Sequence, residues 1–171
     1  MEIQVIKRDG DKEVLDLEKM HKVVFFACDG IAGVSPSEVE IKSHIQFYDG
    51  ITSSEIQETL IKSAADLINE DTPNYQWVAG NLVNYHLRKM VYNSFEPCHV
   101  LDLVKKNTNR GFYDTALLED YSEEEWETIN NYIKHDRDFN ISYVGMEQFR
   151  GKYLVQNRVT KDVFETPQMA Y

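Results

Sequence analysis

Val5-Ile6-Lys7-Arg8-Asp9-Gly10, followed by Leu17-Glu18-Lys19-Met20, reads as a strand, a tight turn and, beyond a return strand, the start of a helix. A short strand carries two adjacent cations into an Asp-Gly turn, and a second strand over residues 12–15 returns. Gly10 tolerates the positive φ such a turn needs, and Asp16 is placed to cap a helix opening at Leu17. The first arm is expected over residues 2–7. The arrangement brings Lys7, Arg8 and Lys19 within reach of one another. Three cations at a turn and a helix start repel unless something anionic lies among them, and a polyphosphate suits that place. The residues alone read as a nucleotide site.

Outward from there, Leu17, Met20, Val24 and Cys28, with Phe25 beside them, follow helical spacing to about Asp29, with Gly30 at the C-terminal cap. Ser35-Pro36-Ser37-Glu38 reads as a capping box opening a second helix to about Gln46. Asp49-Gly50 breaks the pattern, and Thr52-Ser53-Ser54-Glu55 opens a third helix with Ile56, Leu60, Ala64 and Leu67 on one face. Thr72-Pro73 opens a fourth, striped by Tyr75, Val78, Ala79 and Leu82. The expected fold class is mainly α (α+β): a small hairpin capped by about four helices over residues 1–95.

Glu96-Pro97 marks the expected domain junction, because a residue before proline is pushed out of helical geometry. Over residues 96–171 a short helix from His99 to Lys106 comes first. Ser122-Glu123-Glu124-Glu125 then opens another helix, through Trp126, Ile129 and Ile133, and a shorter one follows near Tyr143 to Arg150. Lys152-Tyr153-Leu154-Val155 and Asp162-Val163-Phe164-Glu165 alternate about a polar turn, predicting a second hairpin. Thr166-Pro167 is a helix start with four residues after it, which leads us to expect a truncated polypeptide or one half of a split protein.

The chain has 171 residues, 42% of them hydrophobic, enough for a packed core. Its net charge of −11 argues against nucleic acid, whose backbone is bound by accumulated Lys and Arg. Cys28 and Cys98 form no CxxC pair, so neither a zinc ribbon nor a disulfide framework is indicated, and a reducing cytoplasm is the expected location. No run approaches the ~18 apolar residues of a membrane span, so no membrane association is expected.

The opening Val5-Ile6-Lys7-Arg8-Asp9-Gly10 and Leu17-Glu18-Lys19-Met20 resembles an ATP-cone, the small nucleotide-sensing domain of ribonucleotide reductases. Further blocks resemble the large subunit of class I ribonucleoside-diphosphate reductase: Ser43-His44-Ile45-Gln46-Phe47-Tyr48-Asp49-Gly50-Ile51, Pro73-Asn74-Tyr75-Gln76-Trp77, His86-Leu87-Arg88-Lys89, Leu118-Glu119-Asp120-Tyr121, and Lys152 through Thr160. Five separated blocks in order are hard to reach by chance.

The resemblance implies an N-terminal piece of that subunit, binding ATP as activator and dATP as inhibitor, with Mg2+, to control the reduction of ribonucleotides for DNA synthesis. It implies that Lys7, Arg8, Lys19 and Lys89 meet the triphosphate, that Glu13 lies toward the base end, and that Ser53 and Gln57 stand at the phosphate-side helix start. Val5, Leu15, Met20, Phe47 and Ile56 would form apolar walls. Implied partners are the remainder of the large subunit and the small, radical-generating subunit. The family's radical chemistry belongs to a ten-stranded barrel with catalytic cysteines, so no catalytic residue is assigned here and the chain alone should not reduce ribonucleotides. A free-standing nucleotide-sensing regulator or a helical interaction module are the rival readings.

Cys28 reads as core packing on an apolar helical face, His21 as a helix-face residue, and His135-Asp136-Arg137-Asp138 as a solvated charge cluster without ligand spacing. Some family members place a histidine where this chain has Gln57. A glutamine donates a hydrogen bond but adds no cation, so the phosphates are gripped more loosely. Gln57→His is expected to raise dATP affinity and to deepen inhibition in the full assembly. Titration of both variants with dATP checks this, and unchanged affinity and inhibition would contradict it.

Overall fold

A computed structural model describes residues 3–171. The fold is mainly helical with a small three-stranded sheet. The chain forms two compact units: one runs to His86 and takes in Ile141–Met146, the other comprises Leu87–Asn140 and Glu147–Tyr171.

In the first unit, β1 (Gln4–Ile6) pairs antiparallel with β2 (Lys12–Val14), with Val5 opposite Glu13. The tip is closed by the Gly10 N–H donating to the Lys7 carbonyl at 3.0 Å, with Gly10 at φ +92°. Glu2, expected in the first arm, lies outside the described residues. A third strand, β3 (Ile51–Thr52), which the sequence had read only as the end of a helix-breaking loop, runs parallel to β1 with Ile6 opposite Thr52. It is anchored by Gly50 N–H donating to the Gln4 carbonyl at 2.8 Å and Gln4 N–H donating to the Asp49 carboxylate at 2.8 Å. The sheet order is β2-β1-β3, so β1 is central.

Helix α1 (Leu17–Cys28) is capped by the Asp16 carboxylate, which accepts from Lys19 N–H at 3.1 Å. It buries Met20, Val24, Ala27 and Cys28. Leu17 and Phe25, expected on the same stripe, are 50% and 58% exposed, so the packed face is rotated toward Ala27. There the Asn81 side chain donates to the Ala27 carbonyl at 3.0 Å. Burial pushes the Cys28 thiol up to about 11, with Glu40 adding to the effect, as expected for a cysteine used in packing.

Helix α2 (Pro36–His44) begins with proline as expected, but the Ser35–Glu38 capping box is not made. The Tyr75 hydroxyl takes its place: it accepts from Ser35 N–H at 2.9 Å and donates to the Glu38 carboxylate. A long-range aromatic hydroxyl has outcompeted the local serine. Helix α3 (Ser53–Ala65) keeps its box, with Glu55 N–H donating to Thr52 Oγ1 at 3.1 Å and Thr52 N–H donating to Glu55 at 2.8 Å.

Helix α4 (Tyr75–Tyr92) buries the expected stripe of Tyr75, Val78, Ala79 and Leu82. Gly80 allows a close backbone approach: a Cβ there would sit 2.4 Å from the Ile141 carbonyl oxygen, which is why residues 141–146 pack into this unit.

In the second unit, α5 (Val100–Asn109), α6 (Ala116–Glu119) and α7 (Glu123–Tyr132) enclose a cluster of Val100, Val104 and Trp126, joined by Leu117, Ile129 and Met169. The Ser122–Glu125 capping box forms as expected. Helix α8 (Tyr143–Gln148) begins in the first unit and leads into a π turn at Phe149–Tyr153 of the second, and α9 (Pro167–Ala170) is the last helix. The expected second hairpin is reduced to one antiparallel bridge between Gln156 and Val163, because Lys152 and Tyr153 are wound into the π turn.

The expected solvated cluster at residues 135–138 also needs correction. His135–Asn140 is a 3-10 turn whose Asp138 carboxyl is fully buried, receiving the Gln168 N–H at 3.4 Å at the start of α9. Arg88 lies inside this unit too, its guanidinium 5.0 Å from the Phe95 ring and 4.7 Å from the Phe139 ring, donating to the His135 carbonyl at 2.9 Å. Burial pushes the Asp138 carboxyl up to about 7, against the opposing pull of the Gln168 N–H and Arg88.

An acid whose folded pKa lies above its unfolded value holds extra protons in the folded state. Stability from this group is therefore full near pH 4 and falls as pH rises to about 7. The limiting slope is about 1.4 kcal/mol per pH unit. Asp138→Asn should flatten that slope and raise the melting temperature at pH 8 relative to the parent, measured by thermal melts from pH 4 to 8; an unchanged slope would contradict the burial argument.

Candidate functional site

The candidate site is assembled where the central strand ends. Alternation along β1 puts Val5 and Lys7 on one face, and the pairing of Val5 with Glu13 puts Glu13 on that same face as a diagonal neighbour of Lys7. Lys7 Nζ lies 2.6 Å from Glu13 Oε2. Lys19, in the first turn of α1, reaches back so that its Nζ is 4.0 Å from Glu13 Oε1 and 3.5 Å from Asp16 Oδ2. Two cations thus converge on one carboxylate. The hydrogen bond to Glu13 raises the Lys7 pKa.

The parallel pairing of Ile6 with Thr52 sets the other side. One step further along the two chains stand Lys7 and Ser53, the first residue of α3. The helix opens beside the cation, with its first N–H groups directed out of the helix end. Glu55, held by Thr52 and by the Tyr48 hydroxyl at 3.0 Å, fixes that end; the Thr52 N–H bond, first among the causes, lowers the Glu55 pKa. Gln57 follows Ser53 by one turn on the same face, and its Oε1 is buried without a hydrogen-bond partner among the described residues.

Of the expected apolar residues, Val5, Met20 and Ile56 are each less than a tenth exposed, and Leu15 and Phe47 are half-buried. Phe47 packs edge-on to His44, ring centroids 5.5 Å apart. Arg8 departs from its neighbour: burial lowers its pKa, and the group facing it is Tyr85 of α4. Lys89, also expected at the site, stands in the last turn of α4 and belongs to the second unit.

Tyr85, Asp16 and Tyr48 were not singled out as site residues. Asp16 had a signal as a helix cap, whereas nothing local to residues 48 or 85 announces their neighbours. Among the described residues no group of three or more His, Cys, Asp or Glu could hold a metal ion, and no helix is long and apolar enough to cross a membrane.

Comparison with known proteins bears on the same stretch. The ATP cone domain matches residues 3–90. The chain is 50% identical over 169 residues to the ribonucleoside-diphosphate reductase subunit alpha of Haemophilus influenzae, covering 99% of this chain and 22% of that protein. It is 52% identical over 167 residues to ribonucleoside-diphosphate reductase 1 subunit alpha of Escherichia coli, covering 98% and 22%. The subunit alpha of Enterobacteria phage T4 is 40% identical over 171 residues, covering 99% and 22%. The chain therefore spans 22% of the length of these relatives. With the cone matched over more than half of its residues, and the strand-end cations and α3 start lying inside the match, the chain belongs to the ATP-cone family.

Proposed function

We propose that this chain serves as the nucleotide-sensing part of a ribonucleoside-diphosphate reductase large subunit, binding ATP or dATP as allosteric effector, with Mg2+ carried on the phosphates. Residues 1–95 act as the cone, and residues 96–171 begin the helical part of the catalytic domain. The partners are the remainder of the large subunit and the small, radical-generating subunit, and the setting is the cytoplasm. The reduction itself belongs to that assembly. The observation that carries the reading is the placement of Lys7 between the Glu13–Lys19 cluster and the start of α3.

The energetics are adequate. A micromolar site needs about 8 kcal/mol. Charge-assisted contacts from Lys7, Lys19 and Arg8 at roughly 1.5–3 kcal/mol each supply most of it. The Ser53 end of α3 adds N–H groups and a favourable dipole. Val5, Met20 and Ile56, all buried, would supply an apolar wall for a flat base. Gln57, with an unsatisfied amide oxygen, is an acceptor available to a ligand hydroxyl or amine.

ATP and dATP differ by one hydroxyl, worth about 1 kcal/mol as a neutral hydrogen bond. That is too little for a switch by affinity alone. Activation and inhibition therefore require that each nucleotide stabilise a different arrangement of cone and partner subunits.

Thermal melting of the full chain with magnesium ATP, and separately dATP, tests the reading. At a hundred times the dissociation constant either nucleotide should stabilise the folded state by ~2.7 kcal/mol. Lys7→Ala should lose most of that shift while its nucleotide-free melt stays close to the parent's. No shift with either nucleotide would contradict the proposal.

A further inference from the structure

The anion that the clustered lysines call for is already present in the chain. Glu13 turns one carboxylate oxygen to Lys7 at 2.6 Å and the other toward Lys19 at 4.0 Å, the bridging arrangement two oxygens of a phosphate group would adopt. It stands on β2, an outer strand of the sheet, and the three side chains are 35%, 42% and 68% exposed. Pairs this exposed are individually weak and can be exchanged for another partner at small cost.

We propose that Glu13, expected toward the base end of a bound nucleotide, acts before binding as a specificity-determining residue: an internal counter-ion that holds Lys7 and Lys19 until a ligand of sufficient charge displaces it, so that the site accepts triphosphates and rejects singly phosphorylated anions. The inference rests on the nucleotide reading above and adds a threshold to it. A monophosphate brings at most about one charge more than the carboxylate it must replace and loses the advantage of being tethered. A triphosphate spans both lysines and the start of α3 at once, contacts that a carboxylate on β2 does not make. The side chain moves rather than the strand, since Glu13 is fixed in register opposite Val5 by the backbone.

Glu13→Gln keeps the shape and removes the charge. Glu13→Ala removes the side chain and serves as the second variant, with far-ultraviolet circular dichroism to confirm that both fold. Isothermal titration of the full chain with sodium tripolyphosphate, which has no base or sugar, reads the cation cluster alone. Inorganic phosphate reads the threshold, and magnesium ATP reads the nucleotide site.

Both variants are expected to bind tripolyphosphate about tenfold more tightly than the parent at low ionic strength, with the gain shrinking as salt is raised. Inorganic phosphate should bind detectably only to the variants. Unchanged or weaker tripolyphosphate binding in both variants, with ATP still bound by the parent, would overturn the role of Glu13 and leave the nucleotide reading standing. If the parent bound no ATP, that reading would fail, and the tripolyphosphate comparison would still support or overturn Glu13 as the counter-ion of an anion site.

Discussion

The parallel pairing of β1 with β3 is the contact on which the first unit depends. Two residues of β3 register against Val5 and Ile6, and that short ladder brings a helix start forty-six positions along the chain beside Lys7. A two-stranded hairpin alone is marginal in water. Here it is held by the third strand, by the Asp49–Gln4 and Gly50–Gln4 hydrogen bonds, and by the buried Val5, Ile51 and Ile56 beneath it. The end of the central strand places Lys7, and the first turn of α1 brings Lys19 to the same carboxylate.

Electrostatics explains how such a cluster persists in a folded chain. Lysines gathered at one end of a small sheet would destabilise it if left facing each other. Glu13 and Asp16 offset that repulsion at the surface, where pairing is weak and therefore reversible. The second unit treats charge in the opposite way. Arg88 is enclosed between Phe95 and Phe139, and Asp138 is fully buried with its ionised form disfavoured. Exposed, exchangeable charge marks the candidate ligand site, and enclosed charge holds structure.

Much of this was legible in the sequence, for local reasons. Asp9-Gly10 between short strands, the Asp16 cap, the Thr52 and Ser122 boxes and the α4 stripe each rest on spacing within a few residues, and all of them appear. What escaped depends on distant partners. β3 is two residues long and gains its identity only from β1. Ser35 lost its capping role to Tyr75, forty positions away. Asp138 looked solvated among its charged neighbours, yet one carboxyl of the run turns inward to α9. At the site, the lysines were legible as a call for an anion, while the identity of that anion as Glu13 needed the antiparallel register.

The proposed function requires Lys7 and Lys19 to act together on a nucleotide's phosphates. Lysine acetylation footprinting of the full chain, read by mass spectrometry with and without magnesium ATP, tests it most directly. ATP is predicted to protect Lys7 and Lys19, while Lys12 on the paired strand β2 and Lys22 further along α1 label at the same rate in both samples. Equal labelling of Lys7 with and without nucleotide, at a concentration that saturates binding, would contradict it.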